Sequence, residues 1–80
     1  MTLNELQPGQ SAKVLEVQGM DAVAVRLMEM GLTPGVELVF IDTALWGDPL
    51  EVELRGYRLS LRKTEAARVV VESLYPPSSP

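Results

Sequence analysis

Between Leu50 and Leu61 the sequence alternates apolar and polar residues twice, on either side of a single Arg55-Gly56 step. Leu50, Val52 and Leu54 alternate with Glu51, Glu53 and Arg55; Tyr57, Leu59 and Leu61 alternate with Arg58, Ser60 and Arg62. A period of two sends successive side chains to opposite faces of a strand. With Arg55-Gly56 as a two-residue hairpin turn, Leu54 faces Tyr57, Val52 faces Leu59 and Leu50 faces Leu61. All six apolar side chains then share one face, and Glu53 lies opposite Arg58 on the other as an opposite-charge pair. A slip of one residue would turn the apolar set towards water. The pattern therefore fixes the register and demands that the rest of the chain cover one face.

The other segments supply that cover. Thr2-Leu3-Asn4-Glu5 has capping-box spacing and predicts one helical turn, ended by Pro8-Gly9, that tucks Leu3 and Leu6 inward. Ala12 to Gln18 reads as a strand whose alternation is imperfect, because Val14, Leu15 and Val17 are all apolar. Asp21 is a good N-cap for a helix reaching Met30, with Val23, Leu27 and Met30 forming a stripe and Ala24 and Met28 beside it. Arg26 and Glu29 lie on the other side, spaced to pair. Gly31 supplies a left-handed residue after the helix and Leu32 the contact that follows it. Val36 to Asp42 is a strand, apolar enough for both faces to be covered. Thr43 to Pro49 is a loop ending in the Gly47-Asp48-Pro49 turn. Thr64 caps a short turn through Ala67, and Arg68 to Glu72 is a last strand. From Tyr75 to Pro80 the sequence predicts a flexible tail that cannot join a sheet. The fold class is thus mainly β: about five strands, one helix inserted after the first strand, and short helical turns. A domain over residues 1–74 built this way fits a small, partly open barrel with the helix closing one end.

The chain contains no histidine and no cysteine. It lacks the usual general base near neutral pH, the thiol nucleophile, and the imidazole and thiolate ligands that transition metals favour. Met28 and Met30 read as core filling rather than a thioether site. Glu51 and Glu53 sit on an exposed strand face with nothing to tune them for acid-base work, and no glycine-rich phosphate loop occurs. We therefore expect no enzymatic activity, no cofactor, and no catalytic or metal-ligating residues. A net charge of −4 argues against nucleic acid as a partner. No apolar run approaches the roughly 20 residues of a membrane span, and the first residues lack the pattern of a secretory leader, so the expected location is the cytoplasm.

What remains is recognition. Leu45 and Trp46 stand side by side in a loop, where an exposed tryptophan is a common hot spot; the alternative is a lid folded over the barrel mouth. Five of the seven basic residues, Arg55, Arg58, Arg62, Lys63 and Arg68, fall in the last third, a docking surface for an acidic partner if neighbouring acids do not neutralise them. The residues we assign to partner contact are Arg26, Glu29, Leu45, Trp46, Arg58 and Arg62. Val25 and Val70 are expected to remain exposed, and pairing along the last strand would give a homo-oligomer.

Four segments, in order, resemble the FeoA family, small cytosolic components of bacterial ferrous iron uptake. They are Leu3…Leu6…Pro8-Gly9, the run from Arg26 to Gly35, the Gly47-Asp48-Pro49 turn, and the run from Gly56 to Ala66. The resemblance implies an SH3-like barrel and a role beside FeoB, the membrane transporter with a cytosolic GTP-binding domain. It also implies likeness to the C-terminal domains of DtxR-type metal-dependent repressors, hence an alternative role as a stand-alone module acting on such a repressor. Transition-metal-ion binding is implied too, although these residues offer it little. In one departure, the loop where the family often carries Ala-Pro-Leu here reads Ala44-Leu45-Trp46.

Overall fold

The computed structural model describes residues 1–75. In chain order the elements are a 3-10 turn at Leu3–Glu5, β1 at Ser11–Val17, α1 at Ala22–Glu29, β2 at Glu37–Thr43, a second 3-10 turn at Leu45–Gly47, β3 at Leu50–Leu54, β4 at Tyr57–Leu61, α2 at Lys63–Ala66 and β5 at Val69–Tyr75. The strands form one antiparallel sheet in the order β4-β3-β2-β1-β5. Tyr75, expected to begin the tail, instead pairs with Ser11 at the end of β5. The rest of that tail lies outside the described residues.

The hairpin has the register its sequence dictates: Leu50 pairs with Leu61, Val52 with Leu59, Leu54 with Tyr57 and Glu53 with Arg58. Arg55 and Gly56 both take positive φ, 51° and 82°, as the tight turn that follows strand twist requires. Leu50, Val52, Leu54 and Leu61 are buried, and Leu59 packs half-buried against the core. Tyr57 differs from expectation: it is 42% exposed, and its hydroxyl donates to the Met30 carbonyl at 2.5 Å. A phenol with a partner at the rim satisfies its polar end there instead of entering the core.

The uneven apolar pattern of the first strand has a simple cause. Pairing with β5 shifts between Val14 and Glu16, leaving Leu15 as the extra residue of a bulge and exposed. A second shift on β2, between Phe40 and Asp42, bends the sheet again. Ala12, Val14, Leu38, Phe40, Leu50, Val52, Leu54, Leu61, Val69 and Val71 are all buried, so all five strands contribute to the core face. Helices of eight and four residues cannot roof that many strands. The sheet must curl until its own face covers itself, giving the partly open barrel, with Leu3, Leu6, Leu27, Leu32 and Ala66 completing the same cluster.

Helix α1 is held at both ends. Asp21 accepts from the Ala24 N–H at 3.2 Å. At the far end Leu32 N–H bonds to Leu27 O and Gly31 N–H to Met28 O, with Gly31 at φ 111°, the two bonds of a Schellman motif. Leu27 and Ala24 are buried and Val23 and Met30 partly so, but Met28, expected beside the stripe as core filling, is exposed. Val25 is exposed as expected, whereas Val70 is half-buried. The first residues lie along the outer side of β5, where Thr2 bridges Val70 and Val71 N–H donates to Met1 O.

Candidate functional site

Four of the six expected contact residues fall in two neighbouring regions. The first is the loop before β3. Leu45 is 82% exposed and Trp46 96% exposed, so the tryptophan stands in solvent and does not close the barrel. Trp46 has φ 67° and ψ 14°, a left-handed conformation that a bulky aromatic residue adopts at a cost. The loop is held in place below it: Ala44 N–H donates to Pro49 O at 2.9 Å, and the Lys63 N–H donates to the Asp48 carboxylate at 2.9 Å. The second bond fastens the loop to α2 across fifteen residues of sequence.

The second region is the junction of α1 with α2. Glu65 accepts from the Arg62 N–H through Oε1 at 2.9 Å, capping α2, and from the Arg26 guanidinium through Oε2. Two sequence expectations fail here. Arg26 reaches across 39 residues to Glu65 and not along its own helix to Glu29. The cap of α2 falls at Arg62, not Thr64, because Glu65 reaches back to the Arg62 N–H and so starts the helix at Lys63. Nearby, Arg68 donates to both carboxylate oxygens of Asp21, at 2.6 and 3.1 Å, and to the Gln18 carbonyl. The Arg68 guanidinium, then the Ala24 N–H, hold the Asp21 carboxyl below the usual carboxylate range, and Asp21 in turn raises Arg68. Gly19, at φ 96°, leaves room for this clamp, since a Cβ there would collide with the Arg68 guanidinium. At the N-terminus, the Thr2 N–H on Glu5 at 2.6 Å lowers that carboxyl likewise.

Between the two regions runs a groove of about 470 Å³ lined by Asp48, Pro49, Ser60, Leu61, Arg62 and Glu65. It adjoins a cleft of about 290 Å³ between the helices, lined by Val23, Arg26, Arg62, Thr64, Glu65 and Arg68. The structure therefore brings Arg26 and Arg62 together at the cleft, while Leu45 and Trp46 line neither cavity, their loop meeting the groove only through Asp48 and Pro49. Arg58 lies apart on the outer hairpin face, paired with Glu51 at 3.3 Å across the diagonal and not with Glu53 directly opposite. Glu29 is exposed near the end of α1 and lines neither cavity. Asp48 and Glu65 were given no contact role from sequence, and Arg68 entered only as one of five basic residues in the last third. Their partners are 15, 39 and 47 residues away, so no local spacing announces them.

The donor set does not suit a transition metal. Histidine and cysteine are absent from the chain, and among the described residues no three acidic side chains gather as ligands. Among the described residues no helix is long and apolar enough to cross a membrane.

Residues 1–73 match the FeoA domain family. A curated relative from Porphyromonas gingivalis, strain ATCC BAA-308 / W83, an Fe(2+) transport protein A/Fe(2+) transporter FeoB fusion protein, is 33% identical over 72 residues. The match takes in 90% of this chain and only 8% of that one. The crystal structure of Stenotrophomonas maltophilia FeoA complexed with zinc, described as an SH3 domain protein, is 42% identical with a TM-score of 0.81, covering 90% of this chain and 89% of that one. The NMR structure of a FeoA-like protein from Clostridium acetobutylicum is 38% identical with a TM-score of 0.88, covering 95% and 88%. The manganese regulator SloR shares the fold alone, at 18% identity and a TM-score of 0.79 over 34% of its chain.

Proposed function

This chain belongs to the FeoA family, the SH3-like domains associated with ferrous iron transport, and we propose that it is a cytoplasmic accessory component that binds the cytosolic part of a FeoB-type transporter and assists its assembly or regulation, working by docking and not by catalysis. One observation carries this reading: in the P. gingivalis relative a matching domain is joined to FeoB in a single chain. Physical tethering of two modules is the strongest form of proximity, since it makes their encounter intramolecular.

The surface supports the same reading. A tryptophan presented almost fully to solvent on a costly backbone, with a leucine beside it, is a poor investment for folding and a good anchor for binding. We assign contact to Leu45 and Trp46 on their loop, to Arg26 and Arg62 at the cleft between the helices, and to Arg58 and Glu29, which lie apart from both. Calorimetric titration of the FeoB cytosolic domain with this chain tests the proposal. A saturable heat that Trp46→Ala weakens is the expected result. Absence of any complex with either the cytosolic domain or the full transporter would count decisively against it.

A further inference from the structure

The cleft between α1 and α2 collects three of the chain's seven basic residues in a protein whose net charge is −4. Arg26 is answered by Glu65 and Arg68 by Asp21. Arg62 lines both this cleft and the larger groove, and among the described residues its side chain has no acidic partner within ion-pair distance. Three guanidinium groups against two carboxylates leave the cleft one positive charge. Its wall includes the half-buried Val23, an apolar surface against which a short aliphatic stem can lie, and the Thr64 hydroxyl.

We propose that this cleft is a recognition site for a glutamate side chain on an apolar segment of the partner protein, held by Arg62 as its bidentate contact. The inference rests on the docking function proposed above and adds the chemistry of the partner. A single carboxylate matches the one uncompensated charge; a phosphate dianion would leave the cleft net negative. Arg is suited to the task because its planar fork meets a carboxylate through two parallel hydrogen bonds. The net charge of −4 disfavours a carboxylate over the surface as a whole, so the cleft biases the orientation of approach as well as the contact. The backbone of Arg62, not its guanidinium, caps α2, so the side chain is free to bind without loosening the fold.

The test compares binding of the FeoB cytosolic domain to the wild-type chain, Arg62→Glu and Trp46→Ala at low and high salt. Arg62→Glu should weaken binding about tenfold or more and flatten its salt dependence, while Trp46→Ala weakens binding and keeps the salt dependence. Arg62→Gln, which removes charge and keeps length, takes the place of Arg62→Glu if the reversal proves unfolded by circular dichroism. Unchanged affinity and salt slope in the Arg62 variant would overturn this inference and leave the docking function standing. If the wild-type chain fails to bind FeoB at all, the docking function falls, and amide shifts on titration with a blocked Leu-Glu-Leu peptide decide the cleft alone. Shifts at Val23, Arg62 and Thr64 that vanish in the Arg62 variant sustain the site; no shifts in the wild-type chain overturn it.

Discussion

Two residues other than glycine adopt positive φ among those described, Arg55 at 51° and Trp46 at 67°. Nine positions apart, they carry similar backbone strain to opposite ends. Arg55 turns the chain so that β3 and β4 close in register and bury Leu50, Val52, Leu54 and Leu61. The strain is repaid inside the protein by apolar burial worth roughly 1.5–3 kcal/mol for each such side chain. Trp46 turns the chain so that a large aromatic ring points into water. No apolar burial accompanies that conformation, and this is the observation behind the contact role proposed for Trp46. Backbone strain alone does not mark a functional site; strain without a packing return motivates the hypothesis of one.

The contrast breaks most visibly through Leu61, which is fully buried at the end of the hairpin. Leu61→Ala should cost about 2–5 kcal/mol, a large share of the whole stability of a domain this size, seen as a lower urea midpoint. If it cost under about 1 kcal/mol, the hairpin would not be the main packing element. Trp46→Ala is the mirror experiment. It should leave the urea midpoint within about 0.5 kcal/mol and remove about 2 kcal/mol of affinity for the FeoB cytosolic domain. A loss of stability in place of affinity would place the ring in the core economy after all. A finer cut is Arg55→Asn, which puts a residue tolerant of left-handed backbone into the turn and should raise stability by about 0.5–1 kcal/mol in the same assay. The smallest effect belongs to neither region. Asp21 and Glu5 have folded-state carboxyl pKa values below their ordinary ones, so their contribution is present above the unfolded value near 4 and is lost as pH falls through the folded value. The thermal midpoint should therefore be level at neutral pH and drop in acid, with a shallower drop in Asp21→Asn.

The sequence spoke clearly wherever a local rule and burial agreed. The period-two runs on each side of Arg55-Gly56 gave the pairing residue by residue, and Asp21 and Gly31 marked the ends of α1 because caps are local hydrogen-bond problems. It misled where a side chain had a choice of partners. Arg26 could take Glu29 at helical spacing, yet Glu65 is already fixed as the cap of α2 and awaits a cation, so the distant partner wins. Tyr57 alternates correctly but is amphipathic, and its hydroxyl found the open carbonyl of Met30 at the helix end. As for the candidate site, the exposed tryptophan was visible in outline and the arginine cleft was not. The cleft draws on residues from 23 to 68, brought together only by the path of the sheet.

The divided duty of Glu65 has a mechanical corollary. One oxygen starts α2 and the other grips Arg26, so the two helices are joined through a carboxylate that can release one bond and keep the other. Taking that carboxylate away would cut the tie between the helices and strip the first turn of α2 of its cap in one stroke, while the sheet beneath keeps its own ladder of bonds.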